Sequence, residues 1–376
     1  MPRSMRTAGW AILAVVLAPG GVRAQAGKPS PPLRELHRSA DRPYVSLAFS
    51  ADGRFFGAGA EGAVKILCAE DDGFADVTLL RPRGRVDELI FDYGADVLVS
   101  RSRGLDPVVW DAATWTPLRY AVDDQAFGDL ALRENRQDTL DPGASCLVLS
   151  HRQRGLRLWT LQGLRGASAT VVQQDLSEWK GLPLGRVTAV AWGDDALVAG
   201  DDRGQVTRMP EARKLLDKLD STTLVLGTMT RGQADAGRFR AHQGEVTAVG
   251  LASEAERCVT AGTDGKVRLW DTRKIPGGTR TSAVAPEWEI PGLTAEISPD
   301  GKLLAVAHDA GVAVYHAGAG LRLAWNPTPG ARAVRLRFDP TGDRLAAILC
   351  RCAECRTGAA TRRPLADHGG ELLIWK

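Results

Sequence analysis

The sequence predicts an all-β protein: seven copies of one small antiparallel unit, with the last copy completed by the first part of the chain. Three observations carry that prediction. One complete unit stands in Ala241–Thr272, apolar anchors recur at a near-regular spacing, and the chain stops one strand short of finishing its last copy. The complete unit reads AHQGEVTAVGLASEAERCVTAGTDGKVRLWDT. Val246–Leu251 alternates apolar with small or polar residues, and Arg257–Gly262 is built around Cys258, Val259 and Thr260. A Thr-Asp-Gly turn at Thr263–Gly265 then leads into Lys266–Asp271. Period-2 alternation bounded by Asp-Gly marks antiparallel strands with one face buried. A unit of this size cannot bury that face alone, so it implies copies of itself.

The copies are found from the apolar residue that ends each first strand: Phe49, Phe91, Leu132, Trp192, Leu251, Ile297 and Phe338. Their spacings are 42, 41, 60, 59, 46 and 41 residues, with 38 after the last. A second column supports the same count. Where the complete unit has Trp270, the copies have Leu67, Trp110, Trp159, Met209, Tyr315 and Trp375. All are large and apolar or aromatic, as packing of one sheet on the next requires.

The Ala241–Thr272 unit resembles a WD40 repeat. His242 matches the family's Gly-His position, with Ala241 in place of the glycine, and Trp270-Asp271 is the closing dipeptide. Only Trp110-Asp111 repeats that dipeptide in full. The resemblance implies a seven-bladed β-propeller of four-stranded antiparallel blades. It also implies that His242, Thr260, Asp264 and Trp270 form a hydrogen-bonded chain satisfying polar groups buried between blades. The family further implies a rigid scaffold for protein–protein interaction, without intrinsic catalysis.

The ends and interruptions follow from this frame. ELLIWK closes the chain as a third strand, so the fourth strand of the last blade is expected from Pro32–His37 near the start, which removes the open edges. Two insertions, at about 163–184 and 210–240, stretch the spacing. Asp175–Lys180 reads as a helical turn, and Pro210–Asp220 as a short helix with Leu215, Leu216 and Leu219 on one face. Thr228–Gly237 reads as a polar loop.

Met1–Ala26 reads as a signal peptide: Arg3 and Arg6, an apolar run from Ala8 to Ala18, then Ala24-Gln25-Ala26. That run is too short to span a bilayer, which needs about 20 apolar residues. Residues 27–376 are then the propeller, acting in the periplasm or as a secreted protein. The 48 basic and 45 acidic residues of the chain become 45 and 45 once Arg3, Arg6 and Arg23 are removed. Neither nucleic acid nor an anionic membrane is suggested by that balance. A protein partner of unknown identity and a monomeric state are expected.

The candidates for chemistry are few. Cys350, Cys352 and Cys355, with His368 beyond them, could complete a tetrahedral zinc site. The spacing lacks paired C-x2-C motifs, and in an oxidising compartment a local disulfide is the favoured reading. Strand alternation puts Cys350 and Cys352 on one face. No other cofactor is expected. Cys146 and Cys258 read as buried second-strand residues, and Cys68 as following a third strand. Arg101, Arg103, Arg152, Arg203 and His308 fall at turns around one mouth of the central channel, with His151 and Arg154, interleaved with Asp201, Asp202, Asp264 and Asp309. This makes a polar, mildly basic rim suited to a protein or an acidic ligand, and solvated turns account for the same residues. G-x-S-x-G, H-E-x-x-H, phosphate-binding and dinucleotide glycine patterns are all absent. The expected function is a non-catalytic extracytoplasmic scaffold. The alternative is a periplasmic propeller enzyme or small-ligand binder using the channel mouth.

Overall fold

The computed structural model of the chain describes residues 33–376 apart from 71, 92–94, 103–104, 106–107, 119–126, 133–144, 152–154, 163–169, 176–185, 193–195, 211–236, 253–255, 277–280 and 353–368. Side chains are described outside 119–185, 192, 210 and 281.

The described chain opens with β1 (Glu35–Tyr44). Blade 1 is β2 (Ser46–Phe49), β3 (Phe55–Ala60), β4 (Ala63–Cys68) and β5 (Asp76–Leu80); blade 2 is β6 (Val86–Phe91), β7 (Val97–Ser102) and β8 (Val108–Asp111). Blade 3 is β9 (Phe127–Leu132), β10 (Ser145–His151), β11 (Gly155–Gln162) and β12 (Thr170–Asp175). Blade 4 is β13 (Val187–Trp192), β14 (Ala196–Asp201), β15 (Gln205–Pro210) and β16 (Gly237–Arg240). Blade 5 begins with β17 (Val246–Ala252), β18 (Arg257–Gly262) and β19 (Lys266–Asp271). The chain then gives β20 (Thr281–Ser282) to the edge of blade 4 before β21 (Trp288–Pro291) completes blade 5. Blade 6 is β22 (Thr294–Ile297), β23 (Leu303–His308), β24 (Gly311–His316) and β25 (Leu321–Pro327). Blade 7 is β26 (Arg332–Phe338), β27 (Leu345–Cys350) and β28 (Gly370–Trp375), with β1 as its fourth strand.

Each first strand neighbours the next around a full circle, from β2 through β6, β9, β13, β17, β22 and β26 back to β2. The ring closes as β1 pairs antiparallel with β28, from Glu35↔Trp375 to Tyr44↔Gly370. The closing strand therefore begins three residues later than Pro32–His37 and runs much further. Side chains also stitch blades together near the channel. Ser46 Oγ of blade 1 donates to Val86 O of blade 2 at 2.7 Å, and Thr188 Oγ1 of blade 4 donates to Val246 O of blade 5 at 2.6 Å.

The core lies between blades. Trp270 packs on Phe239 of blade 4, with ring centroids 4.6 Å apart. Leu67, Trp110, Met209, Trp270, Tyr315 and Trp375 are all buried. Burying a side chain of this kind stabilises by about 1.5–3 kcal/mol, and size and apolarity suffice for it. Gly200 shows how close the blades approach: a Cβ there would overlap Val246 of the next blade.

Several expectations are corrected. Thr170–Asp175 is the fourth strand of blade 3, so the stretch from 163 is not all insertion and Asp175 is not helical. Gly237–Arg240 is the fourth strand of blade 4, so the second insertion ends earlier. Pro210, expected to start a helix, instead ends β15; residues 176–180, the remainder of the helix expected over Pro210–Asp220 and the leader lie outside the described residues. Cys68 ends β4 instead of following it. β27 stops at buried Cys350, so strand alternation no longer governs Cys352, which is exposed. Among the described residues, no helix is long and apolar enough to cross a membrane.

Candidate functional site

The most highly organised polar group of the fold is in blade 5. Trp270 Nε1 donates to Thr260 Oγ1 at 2.9 Å, His242 Nε2 lies 2.8 Å from the same oxygen, and His242 Nδ1 lies 2.9 Å from Asp264 Oδ1. Thr260 Oγ1 accepts from Trp270, and His242 links it to Asp264. Arg268 Nη1, which only donates, also lies 2.7 Å from Nδ1, so that nitrogen is shared between Asp264 and Arg268. Gly262 makes room for this, because a Cβ there would overlap the His242 ring. Arg268 Nη1 closes the group, donating to Ala241 O at 2.8 Å and to Asp264 Oδ2 at 2.8 Å.

The electrostatics match a structural group. Burial lowers the His242 imidazole below its ordinary 6.5, against the raising pull of Asp264. Burial works to raise the Asp264 carboxyl, but hydrogen bonds from Arg268 and His242 outweigh it and hold the group at about 2. The hydroxyl beside His242, Thr260 Oγ1, is fully buried and accepts from Trp270, and both His242 nitrogens are engaged within the fold.

Blades 2 and 6 fill the same space differently. In blade 2, Trp110 Nε1 donates to Ser100 Oγ at 2.8 Å, and Ser100 takes the place of Thr260. In blade 6, Tyr315 takes the place of Trp270, and its hydroxyl lies 2.9 Å from Nε2 of His308, whose position in the strand matches Gly262.

Comparison with known proteins agrees with this geometry. The family model described as WD domain, G-beta repeat matches residues 235–271, the segment holding the polar chain. The β-propeller domain of Myceliophteria thermophila Cps50 (Swd1) superposes with a TM-score of 0.64 at 14% identity, covering 90% of this chain and 98% of that one. The structure of U3-55K gives a TM-score of 0.63 at 17% identity, covering 93% of this chain and 99% of that one. The chain has a β-propeller fold, and one of its blades matches the WD40 repeat model. A comparison with curated proteins finds no match. Identities this low show the fold alone.

The loops of the propeller that join second to third strands, and one blade to the next, share one face. Arg203 is exposed there, beside Asp202, while Asp201 is buried and accepts from the backbone N–H groups of Arg203 and Gln205 at 2.9 and 2.8 Å. His308 is half-buried against Tyr315 and Trp325 instead of open to solvent; burial lowers its imidazole below 6.5. Arg101 is buried within β7, opposite Glu88 of β6, with Nη2 2.9 Å from Glu88 Oε2, so it is not a rim residue. Arg103, Arg152 and Arg154 lie outside the described residues, as does the side chain of His151.

Sequence reasoning missed the loop Arg81–Arg85 on the same face. Arg81 and Arg83 are exposed, with Pro82 buried between them. The signal was present as R-P-R-G-R immediately before a first strand, in the place where blade 5 has A-H-Q-G-E.

The cysteine segment is only half described. Cys352 N–H donates to Cys350 Sγ at 3.4 Å, and Cys355 and His368 lie outside the described residues. Among the described residues, no three His, Cys, Asp or Glu side chains converge to hold a metal. On the opposite face, a cleft between blades 1 and 7 is lined by Asp52, Arg54, Glu70, Asp343, Arg344 and Lys376. Arg344 bonds Ala69 O and pairs with Asp72 at 3.5 Å, and Lys376 pairs with Asp72 at 3.4 Å. These bonds close the ring seam across the cleft.

Proposed function

We propose that this propeller is a non-catalytic scaffold that binds a protein partner, and that it works outside the cytoplasm after export by Met1–Ala26. The observation that carries the reading is that the clearest His, Asp and hydroxyl constellation, His242, Asp264 and Thr260, is consumed in holding blade 5. A closed ring of β-blades with that polar group locked inside offers its loops as the working surface. No cofactor is assigned, and the chain acts as a monomer that meets its partner through one face.

The reading is tested by mild cross-linking of the tagged full chain in the cell envelope, followed by affinity capture and mass spectrometry. One partner recovered reproducibly supports it. No partner above background, together with hydrolytic or small-ligand activity abolished by Arg54→Ala or Lys376→Ala, would move the function to the cleft between blades 1 and 7. Location is tested by fractionation: the chain found in the cytoplasm with Met1–Ala26 still attached overturns export.

A further inference from the structure

The loops entering blades 5 and 2 have the same length and differ most at their outward residues. In blade 5 it reads Ala241-His242-Gln243-Gly244-Glu245 and in blade 2 Arg81-Pro82-Arg83-Gly84-Arg85, each running directly into a first-strand valine, Val246 or Val86. The buried second position is kept, with His242 replaced by Pro82. Gly84 has φ 69°, so the turn is set by a residue free to adopt it. Blade 5 makes this loop with alanine, glutamine and glutamate where blade 2 has three arginines. Blade 5 makes the same turn without a charge at the places of Arg81 and Arg83.

Two of the arginines are also unspent. Arg85 Nε bonds Asp87 Oδ1 at 2.7 Å, and Arg101 beneath is taken by Glu88. Arg81 and Arg83 are exposed and reach no carboxylate among the described residues; the nearest acidic side chain on the adjoining turn is exposed Glu61, whose backbone bridges Arg85. Beside them Leu105 is 40% exposed, and a Cβ on Gly84 would lie 3.2 Å from Leu105 Cδ1. An exposed leucine is thus seated against the glycine between Arg83 and Arg85.

We propose that Arg81, Arg83 and Leu105 form a docking surface for an acidic, extended segment of a protein partner that carries one apolar side chain. The inference rests on the scaffold reading and gives that partner its chemistry. Charge complementarity argues for a peptide carboxylate pair. Nucleic acid binding draws on roughly 6–10 phosphate contacts, and two free arginines on a chain of formal net charge +3 do not provide them. Two basic residues add only about 2 kcal/mol to membrane attachment. For a segment already held by an apolar contact, two rim arginines accelerate encounter and fix its register.

The test uses fluorescence anisotropy with the full chain and a labelled 12-residue peptide of alternating Asp and Glu with a central Leu. A peptide with Gln at every acidic position and a random-sequence DNA duplex serve as comparisons. The surface predicts binding to the acidic peptide that weakens with salt and falls about tenfold or more in Arg81→Glu/Arg83→Glu, and several-fold in Leu105→Ser. Lys302→Glu, an exposed charge change on the opposite face, leaves it unchanged. Equal binding of the Gln peptide, tighter binding of the duplex, or an unaffected double variant each overturns the proposal. Circular dichroism and the unfolding midpoint of the double variant establish that it is folded. A cross-linked partner retained by the double variant would remove this surface while leaving the scaffold reading intact.

Discussion

Blade 5 and blade 2 solve one packing problem with different residues. In blade 5, Trp270, Thr260, His242 and Asp264 form a continuous chain, and Gly262 is kept small so that the imidazole fits. In blade 2 only the indole-to-hydroxyl link from Trp110 to Ser100 remains; Pro82 fills the place of His242, and Ser102 stands where Gly262 would. Both keep a large buried ring with a partner for its N–H, while blades 1 and 4 fill the place with Leu67 and Met209, so buried bulk is the part the fold needs. What blade 2 changes, the outward residues of its entry loop, is the part left free for binding.

The comparison breaks most visibly at the rings. Trp270→Ala and Trp110→Ala should each cost about 3–5 kcal/mol in urea unfolding. A loss under 1 kcal/mol at either would mean that the inter-blade core is held elsewhere. A smaller effect sharpens the difference between the blades. Gly262→Ala should cost about 1–3 kcal/mol by overpacking the imidazole. Ser102→Ala, at the matching place in blade 2, should stay within about 0.5 kcal/mol. In a His242→Ala background, where there is no imidazole to overlap, Gly262→Ala should cost less than in the unaltered chain, as a double-mutant cycle would show.

Protonation separates the blades again. The folded His242 imidazole lies below its ordinary 6.5, so the unfolded chain takes up a proton first as the pH falls. Stability from this residue is complete above about 6.5 and declines below it. Asp264, held at about 2 against an ordinary 3.8, adds a second loss between those values. Thermal midpoints from pH 8 to 5 should therefore fall less steeply in His242→Gln than in the unaltered chain. An unchanged slope would assign the acid sensitivity to His37 and His308, whose imidazoles burial also lowers.

The repeat architecture was legible because it rests on local patterns: Phe49, Phe91, Ile297 and Phe338 each end a short alternating strand, and the closing residues recur at fixed offsets from them. The strand Thr170–Asp175 was legible too, in its run of Thr and Val, but an insertion had already accounted for the long spacing. Other features depend on distant pairing. Arg101 looks like a turn residue until β7 is seen to continue opposite Glu88. Thr281–Ser282 joins blade 4 in parallel beside Arg238 and Phe239, a placement with no local signature. The entry loop of blade 2 was overlooked because its defining histidine position holds a proline.

The most direct test of the account is the unfolding free energy of Thr260→Val beside that of Arg81→Glu/Arg83→Glu, each from urea titration of the full chain. Thr260→Val strands the Trp270 N–H and a His242 nitrogen in a buried site and should lose about 1–3 kcal/mol. The arginine pair, exposed and without a carboxylate partner among the described residues, should stay within about 0.5 kcal/mol of the unaltered protein. A loss from the arginine pair equal to that from Thr260→Val would make the blade 2 loop part of the framework, and the division between framework and binding surface drawn from the two blades would be wrong.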